Sequence, residues 1–416
     1  MAATVSEAGG TAAEPARRAP ASPATAVEQA GEQRNARLES LRALAALSVL
    51  VSHAFVLALA YKGIGDTYKN RLILNTASLG LYVFFALSGY LLFLPFARHQ
   101  LGEGRRIDVK RYARNRMLRI LPLYFSAITL LLVVHPFDAD RGDWWRFALF
   151  IQNYSPETLN RLNAPLWTIT VEVQYYILLP LLAFVIAKLG GRSIRRTVLV
   201  MLGIGLASYA LRAQQVLWSG DPNIYGPFGK YALPTLLYAF IGGMLIAVAR
   251  LAWERRPPDW AARRVVGTAS VWIAGGLALH LLLTYDLDLQ EPTIALAAFL
   301  IVAACVLPLR GGRVVQALQW RPLAMLGVAS YSVYVWHGPI VVALSGVGSE
   351  ASEGVITGDP TDFKTLLAIG LPLCIAAGAL SYFVIERPFL RRRKRWGATA
   401  AASSEPAADR TASAKG

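Results

Sequence analysis

Ten runs of about 17–24 mostly apolar residues dominate this chain, and a hydrocarbon core about 30 Å thick takes a helix of roughly 20 such residues to cross. They cover 41–60, 77–97, 117–135, 166–188, 197–213, 231–250, 266–284, 292–309, 323–345 and 366–385. The fifth is the weakest, because it carries Gly203, Gly205, Ser208 and Arg212. The loops test the count. Of the 42 Lys and Arg residues, 33 fall on the N-terminal side of this map, in 1–42, 98–119, 188–196, 250–264, 310–321 and after 386. Such alternation is what the positive-inside rule demands. The expected fold is therefore all-α: a polytopic membrane bundle of about ten transmembrane helices, with both termini cytoplasmic.

With 55% hydrophobic and 16% charged residues, a soluble multidomain chain is excluded. The net charge of +16 follows from topology and from attraction to anionic inner-leaflet lipid. No basic surface interleaved with aromatic residues is visible, so the bilayer is an expected partner and nucleic acid is not. The chain divides into a disordered cytoplasmic tail (1–36), one membrane domain (37–390) and a basic, then disordered, cytoplasmic tail (391–416). Cys305 and Cys374 both fall inside apolar runs, which excludes a disulfide framework and marks neither as a nucleophile.

Ionisable groups deep in a bilayer are costly and point to function. Few occur here: His53, Glu172 and His337, with His280 near an outer end. They should face the bundle interior and one another. Arg42 and His53 lie eleven residues apart, which on a helix is about three turns and roughly 16 Å. With Arg42 at the membrane surface, His53 lies near mid-bilayer. That geometry suits a long molecule with an anionic head and a reactive tip. His53 is either a neutral imidazole bonded to a neighbouring helix or a general base, a role worth about 10²–10⁴ in rate.

Arg116 and Arg119 stand at i, i+3 on one face. They read as positive-inside flanking or as a guanidinium pair that grips phosphate bidentately. Glu172 lies six residues into LWTITVEVQYYILLP and is expected to pair with a cation, a histidine above all. Trp167, Tyr175 and Tyr176 fit an interfacial aromatic belt, and Gln174 fits a helix–helix hydrogen bond. His337 has a structural and a functional reading. The Gly338–Pro339 step after it is expected to kink the helix and open backbone carbonyls to a cavity. Glu386 is expected to offset the Arg116–Arg119 charge. Ser88 either lines a channel or packs helices. The run HPFDAD (135–140) has the H-x4-D spacing of soluble glycerolipid acyltransferases, but it falls on the outer side without companion motifs and is set aside.

Taken in order, six pieces resemble the acyltransferase-3 family of integral membrane O-acyltransferases over about residues 37–390. They are RLESLRALA with Arg42 and His53, FFALSGYLL (84–92), the run from Arg116 to Tyr124, LWTITVEVQYYILLP (166–180), LGVASYSVYVWHGPI (326–340) and IERPF (385–389). The resemblance implies a ten-span enzyme of the bacterial cell membrane. Such an enzyme moves an acyl group, often acetyl, from cytoplasmic acyl-CoA to a hydroxyl, without a metal. Acceptors include carbohydrates, glycolipids, peptidoglycan and secondary metabolites such as macrolides. It makes His53 the essential histidine with Arg42 its partner, places the donor on Arg116, Arg119 and Arg42, and puts Glu172 in the glutamate–glutamine motif. Ser88, Trp167, Gln174, Tyr331, His337 and Glu386 would line a substrate channel. Two departures stand out: Val173 replaces the second glutamate of that motif, and Gly338 stands where many members carry tryptophan. The chain is also expected to lack the extracytoplasmic esterase-like domain that some members append. The competing reading is a glycolipid or proton-coupled transporter or flippase using the same residues, although the repeat symmetry common in transporters is not visible. Within the enzyme reading, direct transfer and an acyl-histidine relay both remain open.

Overall fold

A computed structural model of the chain describes residues 23–59, 67–134, 144–159, 161–217, 225–283, 290–346 and 361–392. Among these residues all regular structure is helical, apart from one isolated bridge between Thr268 and Arg310. The long helices are α1 (Pro23–Leu59), α2 (Tyr68–Gln100) and α3 (Val109–Val134). Two short ones follow, α4 (Trp144–Ala148) and α5 (Pro156–Leu159). Then come α6 (Leu166–Gly190), α7 (Ile194–Leu217), α8 (Leu233–Arg255), α9 (Ala269–Leu283) and α10 (Gln290–Val306). The last are α11 (Arg313–Ala317), α12 (Arg321–Val328), α13 (Ser330–Ser345) and α14 (Phe363–Ser381).

All ten apolar runs are helical, yet length and hydropathy qualify fewer as spans. Seven pass alone: α1 from Asn35, α2, α3, α6, α7, α8, and α14 continued to Arg392. An eighth would be α12 with α13, which are bent by 71°. The run 323–345 is therefore no straight helix: at Ala329 the backbone turns to φ −91°, ψ 3°, and α12 folds back against α1. The 15-residue α9 and 17-residue α10 reach only roughly 22–26 Å at 1.5 Å per residue, short of a full hydrocarbon core. The backbone is already helical from Pro23, inside the segment expected to be a tail. Residues 1–22 and 393–416, and the HPFDAD run, lie outside the described residues.

The basic loops gather at one end of the bundle. Gln100 Nε2 donates to the Gly191 carbonyl at 2.9 Å and to Thr197 Oγ1 at 2.8 Å, joining the ends of α2 and α6 to the start of α7. Arg255 pairs with Glu103 and donates to the Leu101 carbonyl at 2.8 Å. At the same end Trp253 of α8 meets Trp260 edge-on, and Trp260 stacks on Trp272 of α9.

At the core α2 packs against α8. Gly89 faces the Phe240 carbonyl and Gly243 the Ala86 carbonyl, so closely that a Cβ on either would overlap backbone. Lipid gives helices little hydrophobic reason to associate, and small residues that bring backbones together supply the packing instead. At the other end Asp362 caps α14, accepting from the backbone N–H groups of Lys364 and Thr365, two donors that the helix itself cannot satisfy.

Residues 144–159 and 161–165, which the map puts on the outer side between the third and fourth apolar runs, fold inward. Gln152, Asn153, Thr158 and Asn163 are buried. Gln152 donates to the Tyr124 and Thr170 hydroxyls, Tyr124 donates to the Phe147 carbonyl at 3.0 Å, and Gln174 Nε2 donates to the Phe150 carbonyl at 2.7 Å. Irregular backbone is tolerated inside a membrane bundle where protein groups satisfy it in this way.

Candidate active site

Between α1, α2, α3, α6 and α13 lies a cleft that opens to solvent, with a cavity volume of roughly 70 Å³. Its polar lining includes Arg42, Ser88, Arg116, Arg119, Glu172 and Tyr331. Three guanidiniums converge from two helices. Arg42 is held by Glu39 Oε1 at 2.8 Å, one turn back on α1. Arg116 and Arg119 share one face of α3, and Arg119 has the charges of Glu386, Glu39 and Glu172 as electrostatic neighbours. Glu386 is almost fully buried. It accepts from Ser332 Oγ at 3.0 Å and has Arg119 and Arg42 as charged neighbours. A π-helical turn, Tyr382–Glu386, closed by the Arg387 N–H on the Tyr382 carbonyl, sets its direction. Such single π turns re-aim a side chain within a continuous helix.

Glu172 faces this arginine cavity, a correction to its expected pairing with a histidine. Its Oε1 accepts from Ser88 Oγ and from Tyr176 OH, both at 2.5 Å. The reason is local: Tyr176 sits at i+4 on the same helix face, and α2 presents Ser88 opposite. Two hydroxyls and nearby guanidiniums satisfy the carboxylate without an imidazole.

The imidazoles pair with each other. His53 Nδ1 lies 3.0 Å from His337 Nε2, with ring centroids 5.1 Å apart. His337 is fully buried, and its Nδ1 lies 2.5 Å from the Tyr334 carbonyl. The Val49 carbonyl, one turn back on α1, is a further acceptor beside the His53 ring. The Gly338–Pro339 step does not open carbonyls to a cavity. Helix α13 runs through it to Ser345. Pro339 has no N–H for the Val335 carbonyl four residues earlier, and Asn163 Nδ2 donates to that carbonyl at 2.8 Å. A Cβ at residue 338 would overlap the Asn163 side chain and crowd Pro165, so the position must be glycine for Asn163 to reach.

Neither histidine lines the cavity. On α2, Gly80 touches Ala45 and Ser48 of α1, so the neighbouring Leu81, at the cavity's far end, lies roughly 8–12 Å below His53 along α1. Through α13 the gap is shorter. Tyr334 lines the cavity, and its ring centroid is 5.1 Å from that of His337 one turn on. Phe84 meets Tyr334 edge-on at 5.9 Å, and the Tyr334 hydroxyl bonds Thr168 Oγ1 at 2.7 Å. Tyr334 thus stands between cavity and imidazoles, with Phe84 packed against it.

Of the expected channel residues, Ser88 and Tyr331 line the cavity, whereas Trp167, Gln174, His337 and Glu386 do not. Trp167 packs edge-on against Tyr231 at 4.9 Å, and Gln174 anchors the inward segment. Sequence reading passed over Glu39 and Tyr334, and placed Tyr176 in an aromatic belt, whereas it bonds Glu172. Their signal was spacing: each lies three or four residues from Arg42, Glu172 or His337 and so shares its helix face.

A family profile described as an acyltransferase domain matches residues 35–398. A protein of Bacillus subtilis (strain 168) named "Putative peptidoglycan O-acetyltransferase YrhL" is 27% identical over 415 aligned residues, covering 88% of this chain and 58% of that protein. The O-acetyltransferase OatA of Staphylococcus aureus (strain NCTC 8325 / PS 47) is 23% identical, over 85% of this chain and 57% of its own. The peptidoglycan O-acetyltransferase OatA of Listeria monocytogenes is 21% identical, over 84% and 55%. The chain thus spans little more than half the length of these relatives. No solved structure matches it.

Proposed function

The chain belongs to the acyltransferase-3 family, and from that premise we propose that it is a multi-pass O-acyltransferase of the bacterial cytoplasmic membrane. It moves an acetyl group from cytoplasmic acetyl-CoA to a hydroxyl of a cell-wall polysaccharide. The observation that carries this reading is the placement of an arginine-lined cavity one helical turn short of a buried imidazole pair. The names of the relatives support acetyl as the group and peptidoglycan as the acceptor class.

The donor phosphates lie on Arg116, Arg119 and Arg42, where guanidinium forks match phosphate oxygens. Glu172, tied to Ser88 and Tyr176, balances that positive charge at the wall of the cavity. The pantetheine arm passes Phe84 and Tyr334, bringing the thioester to His53. The imidazole takes the acceptor's hydroxyl proton as its oxygen attacks the thioester carbonyl. The C–S bond then breaks, and the proton passes from the imidazolium to the departing thiolate. Positioning and general-base catalysis together account for the rate.

The test is purified protein in lipid vesicles with radiolabelled acetyl-CoA and a soluble muropeptide. Label should pass to the muropeptide in the wild type and stay on CoA with His53→Ala. Movement of a glycolipid across the vesicle with no acyl turnover would instead favour transport and reject the proposal.

A further inference from the structure

We infer that His337 is a positioning residue: it holds the proton of His53 on Nδ1 and so leaves Nε2 as the reactive nitrogen. This rests on the reading of His53 as the base, and it follows from counting protons. The Tyr334 carbonyl only accepts, so the His337 Nδ1 that meets it at 2.5 Å carries a hydrogen. A neutral imidazole has a single N–H, and a second proton on a fully buried ring within α13 would be a membrane-depth charge without a counter-ion. His337 Nε2 is therefore a lone pair. It faces His53 Nδ1 at 3.0 Å, where two lone pairs would repel, so His53 Nδ1 must bear the hydrogen. The only unprotonated nitrogen of His53 is then Nε2.

The same chain of bonds serves the charged state. When Nε2 takes a proton from the acceptor hydroxyl, the positive ring still donates through Nδ1 to His337. An imidazole thus does what a carboxylate does in a Ser–His–Asp triad: it fixes the tautomer and orients the ring. Glu172 does not fill that role: it faces the arginine cavity, which neither histidine lines. Asn163 supports the arrangement from outside. By bonding the Val335 carbonyl left open by Pro339, it keeps α13 regular where His337 projects.

Two measurements decide this. Nitrogen-15 NMR of histidine-labelled protein in bilayers, with the His53 signals identified by their loss in His53→Ala, should show Nδ1 protonated and Nε2 bare. In kinetics, His337→Leu should lower kcat at least 100-fold with donor KM unchanged. His337→Gln, whose amide oxygen can accept from His53 Nδ1, should keep kcat within about tenfold of wild type. An Nε2–H tautomer of His53 in the wild type overturns the inference, and so does a His337→Leu protein with wild-type kcat. Should His337→Leu fail to fold, the wild-type spectrum and the Gln variant still decide. Transfer that survives His53→Ala while the Nδ1–H tautomer is observed would sink the catalytic reading, and the role with it, without disturbing the tautomer.

Discussion

Two regions of the bundle handle arginine charge in opposite ways. Where α7, α8 and α10 meet, Arg212 is 5% exposed. Its Nε donates to Glu291 Oε2 at 2.7 Å and its NH1 to the Lys230 carbonyl at 2.9 Å. Ser208 closes in the same way on the Pro234 carbonyl and the Tyr238 N–H. Between α1, α3 and α6, Arg42, Arg116 and Arg119 instead border an open cavity. A buried charge in a membrane protein is thus not a mark of chemistry by itself. Arg212, which made the fifth apolar run look doubtful, staples helices together. The arginines that border the cavity are the ones proposed to hold the donor.

This contrast can be broken by experiment, because one region should govern turnover and the other stability. The largest effect is expected from His53→Ala: kcat falls about 10²–10⁴-fold, while the thermal midpoint in detergent drops only by what one lost hydrogen bond to His337, roughly 1 kcal/mol, accounts for. A matching loss of stability would show that the imidazole pair is structural. Next comes Arg212→Leu, which strands the Glu291 carboxylate. Breaking a fully buried pair from one side costs about 3–5 kcal/mol. The Glu291 side chain is 34% exposed, so solvent offsets part of that, and the midpoint should drop while folded protein keeps its kcat. Arg119→Leu should raise donor KM about 10–100-fold, the value of one or two charge-assisted hydrogen bonds, without altering kcat. An unchanged KM would remove the cavity from donor binding. The smallest effect is Ser88→Ala, which takes one donor from Glu172 and should raise donor KM about fivefold, in line with roughly 1 kcal/mol per hydrogen bond.

Much of the architecture was legible because the bilayer imposes length and charge rules on sequence. All ten apolar runs are helical, and the loops after α2, α6 and α8 gather at one end as their Lys and Arg content requires. The bend at Ala329 was hidden, since 323–345 is apolar throughout and nothing local marks a 71° turn. So was the inward path of 144–159 and 161–165: Gln152, Asn153 and Asn163 have the composition of a solvent loop, and only tertiary partners on α3, α6 and α13 make their burial affordable. At the site, neighbours on one helix were readable from spacing, as Tyr176 with Glu172. Neighbours between helices were not. His53 and His337 lie 284 residues apart, and no pattern in a single sequence joins them.

The division of labour between arginine cavity and imidazole pair is tested most directly by measuring CoA binding and acetyl transfer on the same preparations of wild type, His53→Ala and Arg119→Leu. His53→Ala should bind CoA with wild-type affinity and transfer nothing, whereas Arg119→Leu should bind weakly yet transfer at saturating donor. A His53→Ala protein that loses CoA binding, or one that still acetylates when donor is bound, would contradict the account.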